Sequence, residues 1–167
     1  LSRKAADDVL RESELDWTIL QPSLIYGAGG GSFRLFRFLA KFPLITVPGK
    51  GDYLVQPVHI HDVVGTVLAS LNSEKATKKT IGVVGAKALS YRDWLQAIRH
   101  SLGKPSAYIV SMPFRLLFIL SKAITPIFPL FSEANLRMLK SGSSASAKDI
   151  TDLLERPPIS VEEGLQR

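Results

Sequence analysis

Several groups of residues have types and spacings that could do chemistry. The first is the glycine-rich run Gly27-Ala28-Gly29-Gly30-Gly31-Ser32, which follows a short apolar stretch and precedes a helical pattern. Backbone N–H groups at such a turn and helix start can cradle a phosphate. A dinucleotide fingerprint needs glycine at its first, third and sixth positions, and counting from Gly27 the sixth is Ser32. No Gly-Lys-Ser/Thr follows, so a P-loop is excluded and the run reads as a flexible loop.

The second group is His59, His61 and Asp62. On an extended segment the two histidines share a side, as metal ligands can. No further residue with ligand spacing accompanies them, and His100 belongs to a separate helical pattern. Asp62 therefore reads as a helix cap beside a hydrogen-bonded histidine, and no metal site is expected. Ser23 and Ser32 lie near the glycine loop, but no Gly-x-Ser-x-Gly elbow makes either a hydrolase nucleophile. Arg34, Arg37 and Lys41 recur three and four residues apart, which aligns three cations on a helix face. Such a face is either a solvated edge or a clamp for a phosphorylated or acidic ligand.

These residues must be positioned by an alternation of helices and strands. Good helix formers from Arg3 to Ser13 predict a helix already under way at residue 1, with Ala6, Val9 and Leu10 on one side. Asp16–Leu20 predicts a buried strand stopped at Gln21-Pro22. Phe33–Phe42 predicts a helix with Leu35, Phe36, Leu39 and Phe42 on its apolar side, halted by Pro43. Pro48–Asp52 is a turn, and Tyr53–Val58 is extended and broken at Pro57. Asp62 opens a helix whose Val63, Val64, Val67, Leu68 and Leu71 share one face. Thr80–Val84 is a second strand, Ser90 or Asp93 starts a helix that ends at Gly103, and Ala107–Val110 is a third strand. Pro113–Phe131 is the most apolar stretch, but Arg115, Lys122, Pro126 and Pro129 interrupt it, so it reads as a buried or surface-docking helix and a turn. Ser141–Ser146 is a flexible low-complexity stretch. A short helix from Lys148, Pro157-Pro158 and a last turn at Val161–Leu165 follow.

The composition agrees with a globular α/β chain. Of 167 residues, 46% are hydrophobic and 22% charged, which excludes intrinsic disorder, and the absence of cysteine excludes a disulfide scaffold, thiol catalysis and thiolate metal sites. The net charge of +6 permits an anionic ligand without requiring one. No nucleic-acid reader motif is present, so no specific nucleic-acid partner is expected. Leu1–Leu10 lacks the apolar core of a secretory signal, which makes a cytoplasmic location the default. A chain that lacks an initiating Met and begins inside a helix is expected to be a piece of a longer protein.

Ser2–Leu10, followed by Leu15-Asp16-Trp17-Thr18-Ile19-Leu20-Gln21-Pro22-Ser23-Leu24-Ile25-Tyr26-Gly27, resembles the second half of an extended or atypical short-chain dehydrogenase/reductase. Further matches run in order through the Pro48–Gly51 turn, Gln56–Val64 and the closing Pro157–Leu165. The nearer branch is the NAD-dependent epimerase/dehydratase-like group that includes the dehydrogenase-like accessory subunit of respiratory complex I. Each motif alone is weak, while their order and spacing over nearly the whole chain are specific.

The resemblance implies the C-terminal, substrate-side portion of an NAD(P)-binding Rossmann-like fold that lacks the first βαβ half. It implies a single partial domain: residues 1–27 end the Rossmann core, 28–111 form a substrate-side region with returning strands and helices, and 112–167 form a C-terminal helical region and tail. In that family a Tyr-x-x-x-Lys pair carries the reaction. Lys4 fits the lysine, catalytic and cofactor-binding, and places the tyrosine one position before Leu1. The ammonium lowers the phenol pKa and holds the nicotinamide ribose. Without the alignment, Lys4 is an ordinary helix lysine.

The resemblance further implies that Pro22, Ser23 and Leu24 pass beside the nicotinamide of NAD or NADP. Gln21, Tyr26, Gly27, Arg34, Gln56 and His59 face a small-molecule substrate, although Gln56 and His59 could equally bond nearby backbone. Gln21 stands where the family often carries Arg, which removes an ionic contact. The chain alone is expected to bind the dinucleotide weakly or not at all. Its first strand is expected to pair with the missing N-terminal half or with a second copy.

The expected function is the substrate-binding part of an NAD(P)-dependent oxidoreductase or epimerase, with hydride transfer at a carbinol or carbonyl carbon of a nucleotide-sugar-like or isoprenoid-like ligand. The alternative is a non-catalytic dinucleotide-sensing or assembly subunit. The apolar Pro113–Phe131 segment points to a greasy ligand or to peripheral membrane or complex association.

Overall fold

A computed structural model describes residues 3–116, 119 and 145–166. Helix α1 (Arg3–Arg11) leads into strand β1 (Thr18–Pro22), then β2 (Ile25–Tyr26), α2 (Gly31–Leu39), β3 (Leu44–Pro48), β4 (Leu54–Val55) and β5 (Val58–His59). Helix α3 (Ile60–Leu71), β6 (Lys79–Val83), β7 (Leu89–Ser90), α4 (Tyr91–Ser101) and β8 (Tyr108–Met112) follow. Two short helices, α5 (Lys148–Leu154) and α6 (Val161–Gly164), close the described chain. The Pro113–Phe131 helix and the Ser141–Ser146 stretch lie for the most part outside the described residues.

The strands form pairs of different kinds. β1 runs parallel to β6, from Thr18 opposite Lys79 to Pro22 opposite Val83, and the β1–β6 connection carries α3. β2 pairs parallel with β5 and β3 parallel with β8, while β4 pairs antiparallel with β7. Parallel pairs need long crossovers, so this arrangement is the α/β organisation that the helix–strand alternation predicts. Among the described residues β1 bonds to no strand other than β6.

The first strand departs from expectation in position and burial. It starts at Thr18, runs through Pro22, and only Ile19 is buried along it. Pro22 is tolerated because the next N–H, that of Ser23, donates to the Val83 carbonyl at 3.0 Å. Alternate N–H groups point to opposite sides, so the one proline lacks falls on the unpaired side.

Two apolar clusters hold the fold. The larger packs Tyr26, Phe33, Phe36, Val47, Trp94, Leu95 and Ile98, and the smaller packs Val58, Val83 and Ile150 beside Leu20, Ile25 and Leu154. Helix α2 buries Phe33 and Phe36, with Ala40 just past its end, whereas Phe42 is 48% exposed. The expected Leu35–Phe42 stripe is thus corrected: the last turn tightens, with the Lys41 and Phe42 amides bonding three residues back before Pro43, and carries Phe42 off the buried face.

Helix α3 is rotated more fully from expectation. Its core side carries Asp62 and Thr66, both fully buried, while Val64, Val67, Leu68 and Leu71 face out, Leu71 at 76% exposure. His59, not Asp62, is the N-cap, its Nδ1 accepting the His61 amide at 3.3 Å. Asp62 is held inside because Arg156 and the Ile159 amide both donate to its carboxylate. The second and third predicted strands lie within two residues of β6 and β8, Ser90 is the cap of α4, and Gly103 ends that helix at φ 68°, whereas β2, β3 and β7 have no counterpart among the predicted elements.

Candidate functional site

Of the residues singled out by sequence, Lys4 is on α1 and Arg34 on α2, whereas Gln21–Leu24, Tyr26, Gly27, Gln56 and His59 lie around the β2–β5 pair and the C-terminal end of β1. In open α/β sheets this is the end where ligands bind, since helix starts and strand ends leave backbone groups available there. Gln21 and Pro22 are exposed and Ser23 and Leu24 half-buried. The Ser23 hydroxyl donates to the Gln56 carbonyl, and the Val58 amide donates to the Leu24 carbonyl at 2.9 Å. Pro22, Ser23 and Leu24 therefore form a narrow rim locked from below by the Gln56–Val58 segment.

Beneath the rim the polar side chains are committed to the protein. Gln56 is buried, donating through Nε2 to the Gly85 carbonyl at 2.8 Å and accepting the Ala145 amide on Oε1 at 3.0 Å. Tyr26 is 1% exposed, and its hydroxyl donates to the Ser160 carbonyl at 3.2 Å. Its ring meets His59 edge-on at 5.2 Å, and its Cα partner in the β2–β5 register is also His59. Buried Tyr26, Gln56 and His59 thus form the floor of the candidate site, and the exposed groups are Gln21, Pro22 and the glycine loop from Ala28 onward.

Gly27 is required by packing. Its φ is 139°, and a Cβ would sit 2.5 Å from Ile60 Cγ2, so the chain turns here only without a side chain. The loop climbs to α2, whose N-cap Gly30 offers no side-chain cap and whose first turn carries no acidic residue. Arg34 bonds back to the Gly30 carbonyl through its amide and projects from the exposed side of α2. Among the described residues no hydrogen bond or ion pair joins its side chain to the rim. Arg37 lies with its guanidinium carbon 5.9 Å from the Phe33 ring centre, a cation–π contact, and Lys41 falls past the helix end.

Lys4 is in the first turn and a half of α1, and its side chain lies outside the described residues. The far end of α1 is tied to the core pair, Arg11 donating to Thr80 Oγ1 at 3.3 Å. Tyr53 and Tyr91 are not activated phenols: burial pushes both upward, assisted at Tyr53 by the neighbouring Tyr91 and Asp52. No group of His, Asp and Glu among the described residues is arranged to hold a metal ion.

Several structural residues at the site escaped the sequence reading. Arg156 and Ile159 reach Asp62 across more than ninety positions of chain, a pairing with no local signal. Gly85 allows the backbone of Pro57 to approach so closely that a Cβ would lie 1.9 Å from its carbonyl oxygen. Ser160, three residues before Glu163, could have been found as a capping pair, and its Oγ does accept the Glu163 amide.

This architecture is a Rossmann-like α/β fold, that of the epimerases and dehydratases among its structural neighbours. A nucleoside-diphosphate-sugar epimerase from Staphylococcus aureus superposes with a TM-score of 0.71 at 16% identity, over 98% of this chain and 57% of that one. UDP-glucuronic acid 4-epimerase from Bacillus cereus, in complex with UDP-glucuronic acid and NAD, gives 0.64 at 17% identity over 98% and 47%. The NAD-dependent NDP-hexosamine 5,6-dehydratase TunA gives 0.63 at 16% over 98% and 48%. The chain spans about half the length of the solved structures it matches. No protein-family profile and no curated protein sequence matches it. Among the described residues no helix is long and apolar enough to cross a membrane.

Proposed function

We propose that this chain is the substrate-side portion of an NAD(P)-dependent oxidoreductase or epimerase of the extended or atypical short-chain type, completed by a polypeptide that pairs along β1. The observation that carries the reading is the open side of β1, next to the rim Gln21–Leu24. An apolar strand with one bonded side leaves backbone groups that a neighbouring strand would satisfy, each worth about 1–3 kcal/mol when buried. The outward stripe Val64, Val67, Leu68 and Leu71 on α3 supports the same conclusion, because an apolar helix face of this extent is usually covered.

The residues present fit one end of a dinucleotide. Pro22, Ser23 and Leu24 offer a flat, weakly polar rim for a nicotinamide, whereas Gly27 is packed on Ile60 and the loop beyond it lacks the fingerprint spacing for the pyrophosphate. The dinucleotide supplies, when bound, hydride acceptance and return at a carbinol or carbonyl carbon of the substrate. The family resemblance assigns Lys4 the role of lowering the phenol pKa of a tyrosine one position before Leu1 and orienting the ribose, and assigns Gln21 and Arg34 to the substrate, Arg34 favouring a phosphorylated one such as a nucleotide sugar.

A second reading is favoured by the floor of the site. Tyr26 and Gln56 spend their polar atoms on backbone and His59 caps α3, which suits a subunit that senses a dinucleotide or assembles with others without turning over. One experiment separates the two. The chain is isolated with any polypeptide it retains, its native mass is measured, and NAD and NADP are titrated before and after adding candidate nucleotide sugars. A heteromeric or dimeric mass, dinucleotide binding and turnover lost about a hundredfold in Lys4→Met support the enzyme. Binding without turnover supports the sensor, and a monomer with β1 amides protected from exchange on both sides overturns the half-fold reading.

A further inference from the structure

The face formed by the end of α2 and the β3–β8 pair is remote in connectivity from the open side of β1 and has a different character. Phe38 and Phe42 are 52% and 48% exposed and meet edge-on at 5.2 Å between ring centres. Two residues on, Leu44 begins β3 opposite Tyr108 of β8, and Thr46 stands opposite Val110. Ile45 and Val47 of β3 are buried, so alternation turns Leu44 and Thr46 outward, and Leu44, Tyr108 and Val110 are all exposed. Monomeric surfaces seldom gather two aromatic rings, a tyrosine and two aliphatic side chains in one place without a partner.

The segments that supply this face carry charges of one sign. Residues 17–51 and 94–132 contain no Asp or Glu at all, and these are the segments that supply α2, β3 and β8. Exposed Arg37 and Lys41 flank the ring pair, and exposed Lys104 precedes β8. No carboxylate among the described residues forms an ion pair with any of them. The face is rigidly held: the buried guanidinium of Arg99 donates to the Ala40 and Phe42 carbonyls at 2.9 and 2.7 Å and to the Pro105 carbonyl, pinning the end of α2 to the loop that carries Lys104.

We infer that this face docks on an anionic lipid surface, with Phe38, Phe42, Leu44 and Tyr108 at the headgroup–acyl boundary and Arg37, Lys41 and Lys104 against lipid phosphates. The combination is what interfacial binding requires: apolar area to enter the boundary, aromatic rings suited to that depth, and cations around them. A nucleic acid would use the cations and rings but leave Leu44 and Val110 in water, and a second copy would set like charges face to face. Lipid is the occupant that satisfies both halves of the surface. The inference goes beyond the half-fold reading and does not depend on it, because β3–β8 shares no strand with the β1–β6 pair.

The test is flotation of the isolated chain, with any polypeptide it retains, on vesicles of phosphatidylcholine alone and of phosphatidylcholine with phosphatidylglycerol. Binding is expected on the anionic vesicles only and falls as salt rises. Lys41→Glu and Lys104→Glu are each expected to lower it by about fivefold or more, from the worth of one cation near a charged membrane. Phe38→Ser with Leu44→Ser is expected to abolish it while the circular dichroism and unfolding midpoint stay near those of the parent. Equal binding to neutral vesicles, retention of binding in these variants, loss of binding in Val64→Ser/Leu68→Ser on α3 instead, capture of single-stranded RNA in place of vesicles, or self-association through this face overturns the inference.

Discussion

The Asp62 carboxylate, fully buried in the first turn of α3, receives the Arg156 guanidinium at 2.6 Å on one oxygen and the Ile159 amide at 2.8 Å on the other. One acidic side chain thereby fixes the segment that carries Ser160, whose carbonyl accepts the Tyr26 hydroxyl beneath the rim. Burying a carboxylate is costly unless it is paired and hydrogen-bonded, so the pair acts as a latch holding the C-terminal segment over β2 and α3.

Removing Arg156 leaves the carboxylate buried with a single donor. Arg156→Ala is expected to destabilise by about 2–3 kcal/mol, below the range for a wholly buried pair because Arg156 is itself 45% exposed. Asp62→Asn keeps an acceptor for the Ile159 amide and removes the charge. The double variant should therefore be less destabilised than the sum of the singles, with a coupling of about 1–3 kcal/mol in urea-unfolding cycles. Additive effects would show that Arg156 and Asp62 do not act as a pair.

The glycines divide into those that are packed against and those that are free. A Cβ on Gly85 would meet backbone, which cannot swing aside, so Gly85→Ala is expected to cost about 3 kcal/mol or more and to disturb Gln56. Gly31, in the first turn of α2, has nothing within 4 Å of its would-be Cβ, and Gly31→Ala is expected to be neutral or to stabilise by up to about 1 kcal/mol. Thermal unfolding of the two variants side by side checks the contrast.

What the sequence made legible was local. Helix periodicity, the Ser90 cap, the Gly103 stop and the Pro48–Asp52 turn are written in neighbouring residues, and each is found close to its predicted place. The rotation of α3 was not legible, because its apolar stripe outweighs Asp62 and Thr66 in any periodicity argument, and only the distant Arg156 and Ile159 make the polar side the buried one. The floor of the site was hidden for a similar reason. Gln56, as a type, suits a ligand as well as it suits two backbone groups, and the partners that decide, Gly85 and Ala145, come from other segments.

Arg99 is a buried cation with no carboxylate partner among its described contacts, held instead by three carbonyl oxygens at the end of α2 and before β8. Carbonyls at a helix C-terminus lack intrahelical donors and favour a cation there. Arg99→Met keeps much of the apolar stem and removes all three bonds, and is expected to cost about 2–4 kcal/mol. Arg99→Lys should recover only part of this, since a point-like ammonium cannot span all three oxygens. Equal stability of the lysine variant and the parent, measured by urea midpoint, would refute the pinning role.

Tyr91 ties stability to alkaline pH with a definite sign. Its ring is buried in the larger core against Phe36 and Tyr53, and desolvation raises its phenol above the ordinary value of 10.0. In the unfolded chain the phenol ionises as pH passes 10.0, while in the folded chain it stays neutral. The unfolded state therefore binds fewer protons over that interval, and stability falls as pH rises. The contribution is fully present below pH 10.0 and is lost progressively toward the folded pKa. Tyr53, raised for the same leading reason, adds to the slope in the same direction. Urea midpoints measured from pH 8 to 11, at about half-unit steps, should be level and then decline above about 10, and Tyr91→Phe should make the decline shallower. A decline of undiminished slope in Tyr91→Phe would assign the alkaline sensitivity to another group.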